Sequence, residues 1–172
     1  MSSNKKDLKT LIVYDSKYGC TEKCAQILAS KLENVEVVNV KDALEDIGFY
    51  DTIIIGGSIY MGRIQKRIRE FCKRHIKVLT KKNLGLFITC MFVGERGKQQ
   101  LLDAFPKELL EVAKAKDFFG GEITYQKMKF FDRLLIKLLS KSGETGMPKF
   151  DENRNASNLM EDKIEHFRNL IA

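Results

Sequence analysis

A chain of 172 residues fits a single domain with one large core, and it needs no disulfide or metal to hold it together. Its composition, 44% hydrophobic and 31% charged residues with two prolines, excludes a disordered or fibrous chain. The net charge of +7 favours anionic partners without identifying one.

Export by a signal peptide and insertion into a membrane both require a long apolar stretch. No apolar stretch follows the charged N-terminal residues, and no window reaches about 18 uninterrupted apolar residues. The four cysteines (Cys20, Cys24, Cys72 and Cys90) include no CxxC pair, and a cytosol would keep them reduced. We therefore expect a cytoplasmic protein.

Five short apolar runs alternate with five longer stretches of helical period, which indicates parallel strands covered by helices on both faces. The sequence therefore predicts an α/β fold, a doubly wound five-stranded parallel sheet forming one domain over 1–172. The predicted strands are 10–14, 35–40, 52–55, 84–91 and 118–125. The first, third and fourth are almost continuously apolar, as is typical of strands buried on both faces.

Helical patterns lie between and after these strands. Helices are predicted at about 21–33, 64–79 and 158–171, and the apolar stripe of the second makes His75 a packed residue rather than a ligand. Residues 97–116 are also helical in pattern, but Pro106 makes them either two short helices or one kinked helix.

A candidate anion site follows the first predicted strand. Hydroxyl groups there can donate to a phosphate, a glycine lets the backbone turn closely, and the helix start supplies free N–H groups. The pattern is not GxxxxGK[ST], which disfavours a nucleoside triphosphate with Mg²⁺. The alternative is that Thr21 only caps the helix. The candidate residues are Ser16, Lys17, Tyr18, Gly19, Cys20 and Thr21.

Two further loops end at the same edge of the predicted sheet, where ligands of open parallel sheets collect. Each offers glycine for close backbone approach and large polarisable side chains suited to the face of a planar ring. Ordinary packing explains any one of these residues, but three converging loops favour a ligand site. The loops contribute Ser58, Ile59, Tyr60, Met61 and Gly62, and Thr89, Cys90, Met91, Phe92 and Val93.

Cys20 and Cys24 lie one helical turn apart and could form a redox pair or half of a metal site. No further Cys/His cluster supports either role, so we favour Cys20 as a backbone N–H donor to phosphate and predict no metal site. No side chain stands out as a catalytic acid or base, and none is named.

Three motifs carry a resemblance to a known family: YDSKYGCT at the first helix, IIIGGSIYMG after the third strand, and FFDRLLIKLLSKSGET after the fifth. The first two resemble flavodoxins in general. The third is similar to the menaquinone-dependent protoporphyrinogen oxidase (protoporphyrinogen dehydrogenase) group of flavodoxin-like proteins. The group carries an aromatic residue where Met61 stands, and residues 95–116 match it poorly.

This resemblance spans nearly the whole chain. It implies a flavodoxin-like sheet of strand order 2-1-3-4-5, an insertion at about 126–156, and noncovalently bound flavin mononucleotide (FMN). It also implies that three residues of the third motif belong to the cofactor site, namely Gly143, Glu144 and Thr145.

Residues 127–141 (KMKFFDRLLIKLLSK), read at helical spacing, combine a basic stripe with broad apolar surface. That composition is typical of a helix lying on an anionic membrane. The alternative is a helix that packs on its own domain or on a second subunit. The basic residues are Lys129, Arg133, Lys137 and Lys141, and the apolar ones are Met128, Phe131, Leu134, Leu135, Leu138 and Leu139.

The sequence thus predicts an FMN-binding oxidoreductase passing electrons from an organic donor, with protoporphyrinogen IX a candidate, to a quinone or similar acceptor. The alternative is a flavodoxin-type electron-transfer module without its own substrate. Electron carriers of that type are expected to be strongly acidic, whereas this chain is basic. We expect a quinone or porphyrinogen-like small molecule as partner, peripheral contact with the inner face of the membrane, and no nucleic acid. A homo-oligomer is left open.

Overall fold

The computed structural model of the chain describes residues 8–42, 45–141 and 156–172. Its strands are β1 (Thr10–Asp15), β2 (Val35–Asn39), β3 (Thr52–Tyr60), β4 (Arg63–Ile64), β5 (Asn83–Thr89), β6 (Ala115–Phe118), β7 (Glu122–Ile123) and β8 (Ala156–Ser157). Five of them form one parallel sheet in the order β2-β1-β3-β5-β6, which confirms the expected 2-1-3-4-5 order of the main strands. Two short antiparallel pairings, β3 with β4 and β7 with β8, lie outside this order.

Helices cover both faces of this sheet. The helices are α1 (Cys20–Ala29), α2 (Lys66–Leu79), α3 (Gly94–Ala104), α4 (Lys107–Val112), α5 (Phe130–Lys141) and α6 (Glu161–Ile171). One face of the sheet packs against α1 and α6, and the other against α2, α3 and α4, so the fold is the predicted doubly wound α/β arrangement. Pro106 separates α3 from α4, which confirms the two-helix alternative.

The central strands are buried on both faces, as their continuous apolar character predicts. In β1, Leu11 and Val13 face the α2 side while Ile12 faces the α1 side, because side chains of a strand alternate. The parallel register aligns Leu11 with Ile53 of β3. Each such fully buried aliphatic side chain stabilises the fold by about 1.5–3 kcal/mol.

The fifth strand of the sheet lies earlier than predicted. Residues 118–125 were predicted as this strand, but β6 runs over Ala115–Phe118 and only Glu122–Ile123 form the separate β7. The Gly120 carbonyl accepts a hydrogen bond from the N–H of Cys90 at 3.0 Å. At φ +77° the same glycine then turns the chain out of the sheet. Two of the four residues in AKDF (115–118) are charged, so this edge strand lacks the apolar pattern by which strands were predicted. The stretch FFGGEITY (118–125) has the composition of a strand but contains the turn at Gly120.

The end of β3 also differs from prediction. β3 extends to Tyr60 rather than ending at residue 55, because Gly56 lets the strand continue where a side chain would meet the ring of Phe87, and Gly57 does so where a side chain would meet Ile64. Among the described residues between β2 and β3, the helical part is the short 3-10 turn Val40–Asp42.

The described part of the chain holds no helix that is both long and apolar enough to cross a membrane.

Candidate functional site

The carboxyl ends of β1, β3 and β5 open into a cavity of about 430 Å³, a volume typical of small-molecule sites. Its wall is mostly apolar and contains most of the residues singled out in the three loops. The structure therefore brings the three loops together at one place. The predicted residues in the wall are Ser16, Lys17, Tyr18, Cys20, Ser58, Ile59, Tyr60, Met61, Gly62, Thr89, Cys90, Met91 and Phe92.

Three other predicted residues, Gly19, Thr21 and Val93, are described but are not in the wall. The Thr21 side chain is fully buried, and its hydroxyl oxygen lies 2.8 Å from that of Thr89, so it braces α1 against β5. Gly19 and Val93 are not in the wall, and they precede α1 and α3 as N-caps. Gly143, Glu144 and Thr145 lie outside the described residues.

One end of the cavity has the donors of an anion site. The N–H of Gly19 donates to the Ser16 hydroxyl oxygen at 3.0 Å, and Gly19 has φ +94°, a conformation that costs a glycine little. The N–H of Lys23 donates to the Gly19 carbonyl at 2.9 Å and closes the first turn of α1. The N–H groups preceding it have no intrahelical acceptor, and together with the helix dipole they favour an anion.

Part of the wall comes from residues that sequence reasoning missed. Asp132 and Ile136 follow at an interval of four in the helix Phe130–Lys141 and so share one of its sides, and Met128 lies just before that helix. The available signal was Asp132, the single acid within an apolar helix, since such a carboxylate needs partners if it is buried. The missed wall residues are Gln100, Gly121, Glu122, Ile123, Met128, Asp132 and Ile136.

Asp132 joins α5 to two of the loops. Its side chain is 4% exposed, and its carboxylate accepts hydrogen bonds from the hydroxyls of Tyr18 and Tyr60. The Lys17 ammonium lies 3.1 Å from the same carboxylate and 3.2 Å from the centroid of the Tyr60 ring. One buried carboxylate therefore holds the loop after β1, the end of β3 and α5 against one another.

The pKa values of this cluster keep it ionised. Burial alone would raise the pKa of Asp132, but the hydrogen bonds from Tyr18, Tyr60 and Lys17 outweigh burial and lower it. Burial likewise opposes the charge on Lys17, yet Asp132 and Tyr60 raise its pKa. The pKa of Tyr18 is raised by burial and by its bond to Asp132. Near neutral pH the cluster therefore contains a carboxylate–ammonium pair of Asp132 and Lys17, with the Tyr18 phenol neutral.

Gln65, which the sequence did not single out, holds the end of β3. Its Oε1 accepts from the N–H of Ser58 at 2.9 Å, and its Nε2 donates to the Ser58 hydroxyl. The same Nε2 lies 3.4 Å from the Asp15 carbonyl at the end of β1. The wall formed by Ser58 is thus attached to the neighbouring strand.

The cysteines at the site differ in character. A hydrogen bond from the Cys24 thiol lowers the pKa of Cys20, and the same interaction together with burial raises the pKa of Cys24. Burial raises the pKa of Cys90 to about 12, and its thiol donates to the Phe92 carbonyl at 3.3 Å. Within residues 8–42, 45–141 and 156–172, no group of three or more His, Cys, Asp or Glu could hold a metal ion.

Comparison with known proteins adds a family assignment. The model of the flavodoxin domain matches residues 11–149. The chain is 27% identical over 152 residues to protoporphyrinogen IX dehydrogenase (quinone) of Escherichia coli strain K12, and the match covers 80% of this chain and 83% of that protein.

Solved structures show the same fold. Oxidised flavodoxin 1 from Bacillus cereus superposes with a TM-score of 0.52 at 20% identity, covering 69% of this chain and 88% of that one. Rubredoxin oxygen:oxidoreductase from Desulfovibrio gigas gives a TM-score of 0.51 at 18% identity, and there the chain spans 32% of the larger protein and 69% of its own length.

Proposed function

This chain belongs to the flavodoxin domain family, and on that premise we propose that it is an FMN-dependent oxidoreductase passing electrons from an organic donor to a quinone or similar acceptor. The observation that carries the proposal is the cavity at the carboxyl ends of the strands. It has the start of α1 at one end and large polarisable side chains on its wall, which fit the phosphate and the planar ring of one ligand.

The residues present fit FMN in both respects. Ser16 and the N–H groups at the start of α1 would hold the phosphate, and Tyr60, Met61 and Phe92 would contact the ring. FMN, when bound, supplies the redox chemistry. The protein's part is to keep the loops in place through Asp132 and to exclude water with the apolar wall.

We propose a porphyrinogen-like donor, with protoporphyrinogen IX as the first to test. The name and 80% coverage of the Escherichia coli relative support this choice. A second support is chemical: Lys17 is in the cavity wall, and Lys127 and Lys129 are exposed on either side of the wall residue Met128. Ammonium groups there would attract the carboxylates of such a donor.

We also propose that the protein acts at the inner face of the membrane, where a quinone resides. The support is the outer side of α5, on which Phe130 is 74% and Phe131 80% exposed while Leu134 and Leu138 are also exposed. Exposed aromatic and aliphatic side chains beside lysines are the composition of helices that lie in a membrane interface.

The alternative function is electron transfer without a substrate of the protein's own. The exposure of Met61 (71%) at the cavity wall favours this alternative, because a protein partner could approach the ring of the bound flavin there.

The deciding experiment mixes the FMN-loaded protein with protoporphyrinogen IX under anaerobic conditions and follows the flavin absorbance. We expect the band to bleach rapidly and to return when menaquinone is added, and protein lacking FMN serves as the control. Reduction by a flavoprotein reductase without any by protoporphyrinogen IX would instead select the electron-transfer alternative.

A further inference from the structure

The positive charge of the chain is concentrated in β4 and α2. Residues 63–82 contain nine basic residues and one acid, Glu70. This segment therefore has a net charge of +8, whereas the rest of the chain, with 21 Lys and Arg against 22 Asp and Glu, has a net charge of −1. We call the segment the cationic face; its basic residues are Arg63, Lys66, Arg67, Arg69, Lys73, Arg74, Lys77, Lys81 and Lys82.

These cations point to solvent because the apolar side of α2 is used internally. Ile68, Phe71 and Leu79 are buried in the core on that side of the sheet. Arg69, Lys73, Arg74 and Lys77 are exposed. Two cations near the start of the helix have partners, since Lys66 lies 3.5 Å from Glu70 and Arg67 lies 3.7 Å from Asp15. Within the described residues, Lys73 and Lys77 form no ion pair.

The cationic face begins beside the candidate cofactor cavity. Arg63 pairs with Tyr60 in the β3–β4 ladder, and Gln65 bonds to Ser58, so both hold residues of the cavity wall. From there α2 runs for 14 residues, about 20 Å at 1.5 Å per residue. A partner seated on this helix would reach the edge of the cavity.

We propose that the cationic face is the docking surface for an acidic protein. A membrane is disfavoured as occupant because residues 63–82 expose no large apolar side chain that could enter lipid. A nucleic acid strand is disfavoured because the segment exposes no aromatic ring on which bases could stack. The choice of a protein rests on the FMN site of the proposed function and on the electron-transfer alternative given with it, in which a protein partner approaches the cavity.

Electrostatic attraction would then accelerate encounter and orient the partner with its acidic side toward α2. Because the cations are exposed, salt should weaken the complex strongly. The positive charge of this face is the opposite of the strong negative charge expected of electron carriers of the flavodoxin type.

The test compares two double variants of equal net charge. One carries Lys73→Glu and Lys77→Glu on α2. The control carries Lys107→Glu and Lys114→Glu, at one exposed position in α4 and one shortly after it. The probe is a strongly acidic [2Fe–2S] ferredoxin, and the readout is its Kd at low and high salt. We expect binding at low salt that is lost at high salt, a weakening of at least about tenfold in the α2 variant, and a change below about twofold in the control. Unchanged far-UV circular dichroism would show that both variants fold.

Three outcomes would overturn the proposal. One is absence of ferredoxin binding at low salt, and another is equal weakening in both variants, which would mean that only net charge matters. The third is that a 20-base-pair DNA duplex or phosphatidylglycerol vesicles bind more tightly than ferredoxin and lose binding in the α2 variant. A parallel FMN titration separates the two proposals, since failure to bind FMN would remove the proposed function while the docking result stands on its own.

Discussion

Asp132 is the single acid in the sequence of α5, and its surroundings explain why a buried carboxylate is tolerated there. Two phenols and one ammonium surround the carboxylate, and these bonds lower its pKa although burial opposes this. A carboxylate whose pKa is lowered on folding stabilises the folded protein at pH values above the ordinary pKa of the group, 3.8. That contribution is lost as the pH falls through 3.8 toward the lower folded-state pKa.

The Asp132→Asn variant should therefore unfold more easily near neutral pH. Hydrogen bonds to a charged group are worth about 1.5–3 kcal/mol, so we expect a loss of about 2 kcal/mol in the free energy of unfolding. The difference from wild type should shrink as the pH falls below about 4. Urea unfolding from pH 7 to pH 3 measures both effects.

The matched control for this variant is Asp117→Asn. Asp117 also binds a lysine, Lys163 at 2.6 Å, but it is not in the cavity wall. We expect only Asp132→Asn to speed proteolysis of α5 and weaken FMN binding. If both variants behave alike, Asp132 is an ordinary ion-pair residue and does not hold the loops together.

At the scale of an element, α5 has two different sides. Asp132 and Ile136 line the cavity, whereas Phe130, Leu134 and Leu138 are exposed at the same interval of four. Only part of the basic stripe predicted from sequence is available for contact with a membrane, because the Arg133 guanidinium donates to the Gln126 carbonyl at 3.2 Å. The side chain of Lys141 lies outside the described set. Of the predicted apolar residues, Met128 is buried.

Membrane contact through α5 predicts a specific effect of its exposed rings. Replacing Phe130 and Phe131 with serine should weaken binding to phosphatidylglycerol vesicles by at least about tenfold, because each ring transferred into lipid is worth about 1.5–3 kcal/mol. Vesicle sedimentation at low salt measures the change.

Control substitutions for this measurement are Leu102→Ser in α3 and Leu170→Ser in α6, which remove exposed apolar side chains elsewhere. They should leave vesicle binding unchanged. Wild-type protein that ignores anionic vesicles at low salt would remove the membrane role, and α5 would then serve only as the cover of the cavity.

At the scale of the whole molecule, the cavity joins elements that are far apart in the chain. Its wall combines loops after β1, β3 and β5 with residues of α3, β7 and α5. A ligand held by all of them stabilises the folded state as a unit, because it binds the native protein and not the unfolded chain.

FMN should therefore raise the melting temperature. At one hundred times its Kd the gain is about 2.7 kcal/mol, which corresponds to about 5–10 °C for a chain of this length. Riboflavin, which lacks the phosphate, should give a smaller shift at the same concentration. Ser16→Ala should reduce the FMN shift toward that of riboflavin, and differential scanning calorimetry measures each case.

Ser30→Ala is the matched control for this substitution. The Ser30 hydroxyl donates to the Ile27 carbonyl at 2.7 Å near the end of α1, outside the cavity wall. It should leave the difference between FMN and riboflavin intact. Equal shifts from the two ligands would remove the assignment of the anion site to phosphate.

The sequence by itself determined the sheet, the three loops and the family. Continuous apolar runs predict strands buried on both faces, and their alternation with helical patterns predicts parallel strands, because both patterns depend on neighbouring residues. The strand order came from the family resemblance. Local glycine and hydroxyl patterns likewise identified the loops that form the cavity wall. The predicted fifth strand was wrong because Gly120 turns the chain only in the context of β5 and β6.

Only the tertiary structure decided what closes the cavity and what the surface offers. The bonds of Asp132 to Tyr18 and Tyr60 join residues 114 and 72 positions apart, and no local pattern encodes such a pairing. The burial of Thr21 against Thr89 likewise depends on how α1 packs on the sheet. The cationic face follows from the same packing, because the sheet takes the apolar side of α2 and leaves its cations in solvent.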